Sequence, residues 1–264
     1  MSPRPAAASD LRLNRREHLF AFLPAFAVFA LLSEAGALTI AGSRRTMAPA
    51  RWIDAHDEVA RALAGGEITP LIWQAEVERL AREVDVAELM ATVNRARLSP
   101  APRGSHNDPA KRFVRFLDDT GEPRRLAYGA ALFDFQPQNV ITPHGHRHMV
   151  SAHLVVDGAF RVRNFDRIGD EDGAMVIRPT RDYVARTGDI STMSSQRDNI
   201  HWFVPHGRAP ATTFDVVISD LDPGQPSYDI RAIDPLGGRA RADGAIVAPI
   251  MSFRDSAARY TAEV

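Results

Sequence analysis

From Phe113 to Ile218 the chain repeats one local pattern: a run of four to ten residues rich in β-branched and aromatic side chains, then a turn signal. The runs are Phe113–Leu117, Leu126–Phe135, Ala152–Val156, Phe160–Phe165, Ala174–Ile177, His201–Val204 and Thr212–Ile218. Between and after them stand Gly121-Glu122-Pro123, Asp157-Gly158, Gly169-Asp170, Thr187-Gly188-Asp189 and Asp222-Pro223-Gly224. Such residues favour a pleated, half-buried backbone, and Gly, Pro and Asp supply the dihedral angles that reverse it. Many short strands at regular spacing predict an antiparallel sandwich or barrel. From Asp229 onward the pattern weakens, with Gly237-Gly238 and Asp243-Gly244 as turns, and predicts edge strands or an ordered tail.

The segment before this series has a helical period. Trp52, Ala55, Val59 and Leu63 lie three to four residues apart and stop at Gly65-Gly66. Thr69-Pro70 offers an N-cap with proline at the first helical position, opening a second helix through Leu71, Trp73, Val77, Leu80 and Val84. Asp85-Val86-Ala87-Glu88 reads as a capping-box variant that starts a third helix, through Leu89, Met90, Val93 and Leu98. The expected organisation is thus a helical segment over 44–100 and a β-barrel with a C-terminal extension over 110–264. Residues 1–37 precede both. They combine Arg12, Arg15 and Arg16, an apolar run from Leu19 to Leu32, and Ala35-Gly36-Ala37, the pattern of an export signal with a cleavage site. Asn14-Arg15-Arg16-Glu17-His18-Leu19 resembles the consensus of the twin-arginine export route. The expected location is therefore periplasmic or secreted, with a membrane anchor over residues 19–37 as the alternative.

A net charge of -1 with interspersed signs gives no basic field for nucleic acid. The chain has no cysteine, so a disulfide framework, a thiolate metal site and a cysteine nucleophile are all excluded. Any metal must be held by His, Asp or Glu. Four of the nine histidines fall between His144 and His153. His144 and His146 have the i, i+2 spacing that puts both imidazoles on one face of an extended strand. His201, in Asp198-Asn199-Ile200-His201-Trp202-Phe203, offers a third ligand from the start of another apolar run. His148 continues the alternation and would replace one of the pair if the register slipped. His153 shares the face of Ser151, either as a substrate contact or proton donor or as a satisfied core histidine. His18, His56, His106 and His206 read as structural or surface residues, and Tyr128 and Tyr183 as core.

These motifs resemble the cupin superfamily, whose first motif pairs two histidines one residue apart and ends on a glycine after the next strand, and whose second supplies a late histidine. Here they read His144-Gly145-His146 with Gly158, and His201 following Gly188-Asp189. Most cupins carry a glutamate where this chain has Ser151, so the implied ligand set is His144, His146 and His201 alone. Within cupins that loss resembles the thiol dioxygenases. Phe133-Asp134-Phe135-Gln136-Pro137, Pro143 to His146, Met149, Phe165-Asp166, Asp198 to Phe203 and Thr213 to Val217 are similar to the cysteamine dioxygenase and plant cysteine oxidase group. The likeness runs over roughly Leu126 to Asp222 and departs from the pattern at Leu221, where the group tends to place tyrosine.

The resemblance implies a cupin-type antiparallel jelly roll, mainly β, behind an N-terminal helical segment. It also implies a non-haem Fe(2+) centre, with Zn, Mn and Ni left open, that oxidises a small thiol to a sulfinic acid with O2. Asp215 is the candidate for a carboxylate that accepts the outer N–H of a ligating histidine, and His153 for a second catalytic group. Expected partners are a small molecule and O2, with a homodimer left open. Two further readings stand beside this one: another metal-dependent cupin enzyme, whether oxygenase, isomerase or hydrolase, and a non-catalytic cupin that binds a small ligand.

Overall fold

The computed structural model describes residues 46–261 apart from 96–97, 104–105, 223 and 225–228. The expected export segment lies outside these residues. Among the described residues no helix is long and apolar enough to cross a membrane.

Three helices open the described chain: α1 (Pro49–Ala64), α2 (Pro70–Ala81) and α3 (Val86–Ala91). The caps are those the sequence predicts. The Ile72 N–H donates to Thr69 Oγ1 at 3.3 Å and the Glu88 N–H to Asp85 Oδ1 at 3.0 Å. The third helix is shorter than its apolar period suggests. At its end the Thr92 hydroxyl donates back to the Leu89 carbonyl at 2.7 Å, satisfying a terminal acceptor and competing with further helical turns. Val93 and Leu98 keep the apolar spacing because they still pack on the core the helices cover.

Thirteen strands follow: β1 (Ser99–Pro100), β2 (Ala110–Val114), β3 (Gly129–Phe135), β4 (Ile141–Arg147), β5 (Val150–Asp157), β6 (Ala159–Glu171), β7 (Ala174–Arg186), β8 (Ile190–Met193), β9 (Ile200–Pro205), β10 (Ala211–Ile218), β11 (Asp229–Ile233), β12 (Arg239–Ala240) and β13 (Ile246–Met251), then helix α4 (Phe253–Arg259). They form two antiparallel sheets, ordered β1-β2-β3-β10-β5-β8 and β11-β4-β9-β6-β7-β13-β12. Strands β3 to β10 change sheet at every connection except the β6–β7 hairpin. That gives β3-β10-β5-β8 against β4-β9-β6-β7, the cupin-type jelly roll expected from the sequence. Phe135, Val155 and Ala211 from the first sheet pack with Phe160, Val162 and Phe203 from the second, so the two sheets share an interior. Gly158 turns β5 into β6 at φ +74°, where a Cβ would lie 2.7 Å from that of Ala211; only glycine fits.

Strand β5 of the first sheet is buried on both faces from Val150 to Val156, and its outward face is apolar throughout. Its outward residues Val150, Ala152, Leu154 and Val156, with Phe214 and Val216 of β10, pack under the helices. Trp52 meets Phe214 edge-on at 5.8 Å and donates from Nε1 to the Leu80 carbonyl at 3.1 Å, tying α1, α2 and the sheet together. The helical segment therefore covers the outer face of this sheet. Inward positions of the same strands are Ser151, His153, Thr213 and Asp215, and they are also buried.

Two strands had weak sequence signals. In β4, Pro143 cannot donate to a ladder, and the β4–β9 register shifts between Ile141 and His144 to accommodate it. In β8, Ile190-Ser191-Thr192-Met193, each face carries one polar residue, Ser191 inward and Thr192 toward Gln74 and Glu78 of α2, so neither face is apolar. The C-terminal extension supplies edge strands, as expected, and a helix that the weak pattern did not suggest. β11 pairs with β4, setting Ala232 opposite His144 and Ile230 opposite His146. It thereby covers the free edge of the strand that carries two histidines.

Candidate metal centre

Antiparallel pairing places His144 directly opposite His201, and His146 follows His144 on the same face of β4. Three imidazoles thus converge inside one end of the barrel. His201 Nε2 lies 3.2 Å from His144 Nε2 and 3.3 Å from His146 Nε2. Metal–nitrogen bonds of about 2.1 Å to ligands at 90° or tetrahedral angles separate neighbouring nitrogens by about 3.0–3.4 Å, so these separations fit a shared divalent cation. Among the described residues these three form the one group of His, Asp and Glu side chains whose ligand atoms lie within 4.8 Å of one another.

The electrostatics agree. Burial holds the His144 imidazole down to about 4, and burial followed by the proximity of the other histidines holds those of His146 and His201 well below the ordinary range. All three are neutral at physiological pH and present lone pairs. Neutral acceptors crowded this closely repel one another unless a cation or a shared proton lies between them, and burial opposes the proton. His144 Nδ1–H donates to the Thr142 carbonyl at 2.7 Å, which fixes the tautomer with Nε2 free. His146 Nδ1 lies 3.1 Å from the Met149 sulfur. His201 Nδ1 is buried with no partner among the described residues. Imidazole donors with no thiolate suit Fe, Zn, Ni or Cu ions.

Around the histidines is a cavity of about 490 Å³ whose wall combines Phe133, Ile141, Val217 and Phe253 with the charged Arg103, Asp108 and Lys111. The Phe253 ring, from α4, stands 5.9 Å from that of His144 at the mouth. A larger depression of about 630 Å³ meets the cluster only at His146 and Met149; its rim of Arg147, Asp170 and Arg167 is closed on itself by ion pairs.

Of the residues singled out in the sequence, His144, His146 and His201 are brought together, and so are Ser151, His153 and Asp215 beside them. Ser151 stands in the cavity wall, offering a hydroxyl where the cupin pattern has a carboxylate. Asp215 is paired differently from the expectation. Its register partner is His153, and its Oδ2 accepts from His153 Nδ1 at 2.7 Å, so the carboxylate supports this histidine and no member of the cluster. The other nitrogen, Nε2, lies 3.2 Å from Ser151 Oγ, which donates to it. The His153 ring stands 4.7 Å from that of His201 and lines the same cavity, so His153 is both satisfied and at the site.

His148 leaves the alternation. It sits at φ +60° in the β4–β5 turn, and its Nδ1 lies 3.1 Å from Asp222 Oδ2. His56 is buried in α1, and His106 and His206 are exposed. Tyr128 packs in the core under the helices, and Tyr183 against the interior cluster.

Sequence reasoning missed Asn164 and Ser191, both buried and joined by a 3.3 Å hydrogen bond from Asn164 Nδ2 to Ser191 Oγ. A polar residue continuing the inward face of Phe160 and Val162 on β6 was the available signal.

No family model matches the chain, and no curated protein matches it. Solved structures to which it is similar include an uncharacterized conserved protein with a double-stranded β-helix domain from Klebsiella pneumoniae, at 17% identity over 48% of this chain and 83% of that one, with a TM-score of 0.31. Oxalate oxidase gives 20% identity over 48% of this chain and 58% of that one, with a TM-score of 0.33. KdgF from Halomonas sp. gives 16% identity over 47% and 89%, also with a TM-score of 0.33. Likenesses at this level say nothing of what this chain binds or does.

Proposed function

We propose that the chain is a metal-dependent cupin oxidoreductase, an iron(II) dioxygenase that converts a small thiol and O2 into a sulfinic acid. The observation that carries this reading is the convergence of three neutral imidazoles in a barrel cavity whose customary carboxylate position is held by Ser151. With only three protein ligands, a ferrous ion held here would keep positions free for both substrate and O2. A ferrous ion held there supplies the positive charge that lowers the pKa of a thiol and the electrons that activate O2. The balance is one thiol and one O2 to one sulfinic acid, with both oxygen atoms on sulfur.

The chain's own residues do the rest. His144, His146 and His201 would hold the ion, with the Thr142 carbonyl fixing the His144 ring. Asp215 holds His153 with Nδ1 protonated, so Nε2 is the acceptor that orients the Ser151 hydroxyl beside the cluster. This pair is the group able to take or return the substrate proton in the cavity. Burial of His146, His153, His201 and Asp215 strengthens each of these interactions. The export-signal pattern over residues 1–37 supports a location beyond the cytoplasmic membrane, and export in the folded state would let the metal be loaded first.

The buried Ser151–His153–Asp215 chain also favours a second reading, acid–base chemistry by a hydrolase or isomerase with Zn or Mn as a Lewis acid. Metal analysis followed by oxygen uptake separates the two. The iron-loaded protein should consume O2 only when a thiol is present and add two oxygen atoms to that thiol by mass spectrometry. No thiol-dependent uptake across a panel of small thiols overturns the dioxygenase reading. Failure to bind iron on reconstitution removes it altogether.

A further inference from the structure

Residues directly opposite each other on antiparallel strands point to the same side of the sheet. Across the second sheet the register runs His144, His201, Asn164, so Asn164 projects into the interior beside His201. Across the first sheet it runs Asp215, His153, Ser191. The hydrogen bond from Asn164 Nδ2 to Ser191 Oγ joins the two rows into one polar layer above the phenylalanine-rich interior.

Three atoms of this layer are left over; Asp215 Oδ1 belongs to the carboxylate that holds His153 on the first sheet, and the other two, set opposite each other by the β6–β9 register, are complementary. His201 Nδ1 and Asn164 Oδ1 are both buried, and neither has a partner among the described residues. With its Nε2 turned toward the other two histidines, His201 carries its proton on Nδ1 and needs an acceptor; the amide oxygen is an acceptor without a donor. Buried polar groups are seldom left unpaired. The Cβ atoms of directly opposed residues lie about 4.5–5.5 Å apart, a span over which one interior water joins two polar ends. The other two histidines already have fixed outer nitrogens, His144 on a carbonyl and His146 on a thioether.

From this we infer that Asn164 is a positioning residue for the metal centre: through a single interior water its amide oxygen accepts the His201 Nδ1–H and fixes the tautomer and ring of the ligand that comes from the distant strand. The inference rests on the reading of the three histidines as metal ligands.

Zinc(II), a diamagnetic probe, tests it on the full chain by competition with a chromophoric chelator. Asn164→Leu, which removes the acceptor at similar volume, should bind zinc about 10–100-fold more weakly, the usual loss when the outer partner of a ligating histidine is removed. Asn164→Asp, which keeps an acceptor oxygen, should bind at least as tightly as the unaltered chain. If Asn164→Leu does not fold, the unaltered zinc-loaded chain provides a second measurement. In its ¹⁵N-histidine spectrum the His201 Nδ1–H, identified by its absence in His201→Gln, should be protected from exchange. Zinc affinity unchanged in Asn164→Leu, equal loss in Asn164→Asp, or a freely exchanging His201 Nδ1–H overturns the inference while stoichiometric zinc leaves the metal site standing. Absence of stoichiometric zinc from the unaltered chain removes the metal site and this inference with it.

Discussion

Metal uptake by this site should release almost no protons, even in mild acid. The perturbation is pH, and the quantity is the number of protons displaced when the ion binds. Three ordinary histidines with pKa near 6.5 would be about three-quarters protonated at pH 6, so coordination would release about 2.3 protons. In the folded chain the His144 imidazole is held down to about 4 by burial, and His146 and His201 lie well below the ordinary range. At pH 6 a group with a pKa near 4 is about 1% protonated, so the expected release is about 0.01 proton from His144, and His146 and His201, also held well below the ordinary range by burial, add little. The same numbers set the affinity. Between pH 7 and pH 5 three ordinary histidines lose a factor on the order of 10⁴ to proton competition, whereas His144 should cost this site only about 1.1-fold and the other two, lowered in the same direction, should leave the affinity nearly flat. Calorimetric titration of zinc at pH 6 in buffers of different ionisation enthalpy gives the proton count directly. Release of two or more protons would refute the claim that burial keeps the three imidazoles neutral, and with it the preorganised geometry.

His201→Ala should abolish stoichiometric metal binding and His148→Ala should leave it intact, because His148 faces Asp222 outside the cluster; metal retained in the His201 variant sinks the ligand assignment. His56 is buried with its imidazole lowered to about 4 by desolvation, so the unfolded chain takes up its proton first as pH falls. Its contribution to stability is full above pH 6.5 and lost between 6.5 and 4, by about 2 kcal/mol at pH 5 and about 3 kcal/mol at pH 4. His56→Phe should flatten that acid limb in denaturant titrations, and an unchanged limb would contradict the assignment. Gly158→Ala should destabilise the fold by about 2–4 kcal/mol, from the positive φ and the 2.7 Å approach to Ala211 Cβ, and a variant as stable as the parent in urea would show that the turn relaxes.

Much of this architecture was legible because it is encoded locally. Helix starts at Thr69-Pro70 and Asp85 follow from side chains that accept terminal N–H groups, and the strand series follows from turn residues every few positions. The exceptions have local causes too. Thr92 closes its helix early, Pro143 breaks the apolar character of β4, and the inward serine of β8 hides its strand.

By itself the sequence determined which side chains a metal could use. With no cysteine only His, Asp and Glu remain, and a period of two places His144 and His146 on one side of any extended strand. It also determined that Ser151 cannot supply a carboxylate. What only the tertiary structure decided is who stands opposite whom. The β4–β9 register brings His201, 57 residues away, against His144; the β5–β10 register gives Asp215 to His153; and the β6–β9 register sets Asn164 behind His201. Such registers arise from pairing between distant strands, where a slip of one residue would turn every inward side chain outward. No local period in the chain records that choice, because it depends on how two buried sheets and the helices over one of them fill a common core.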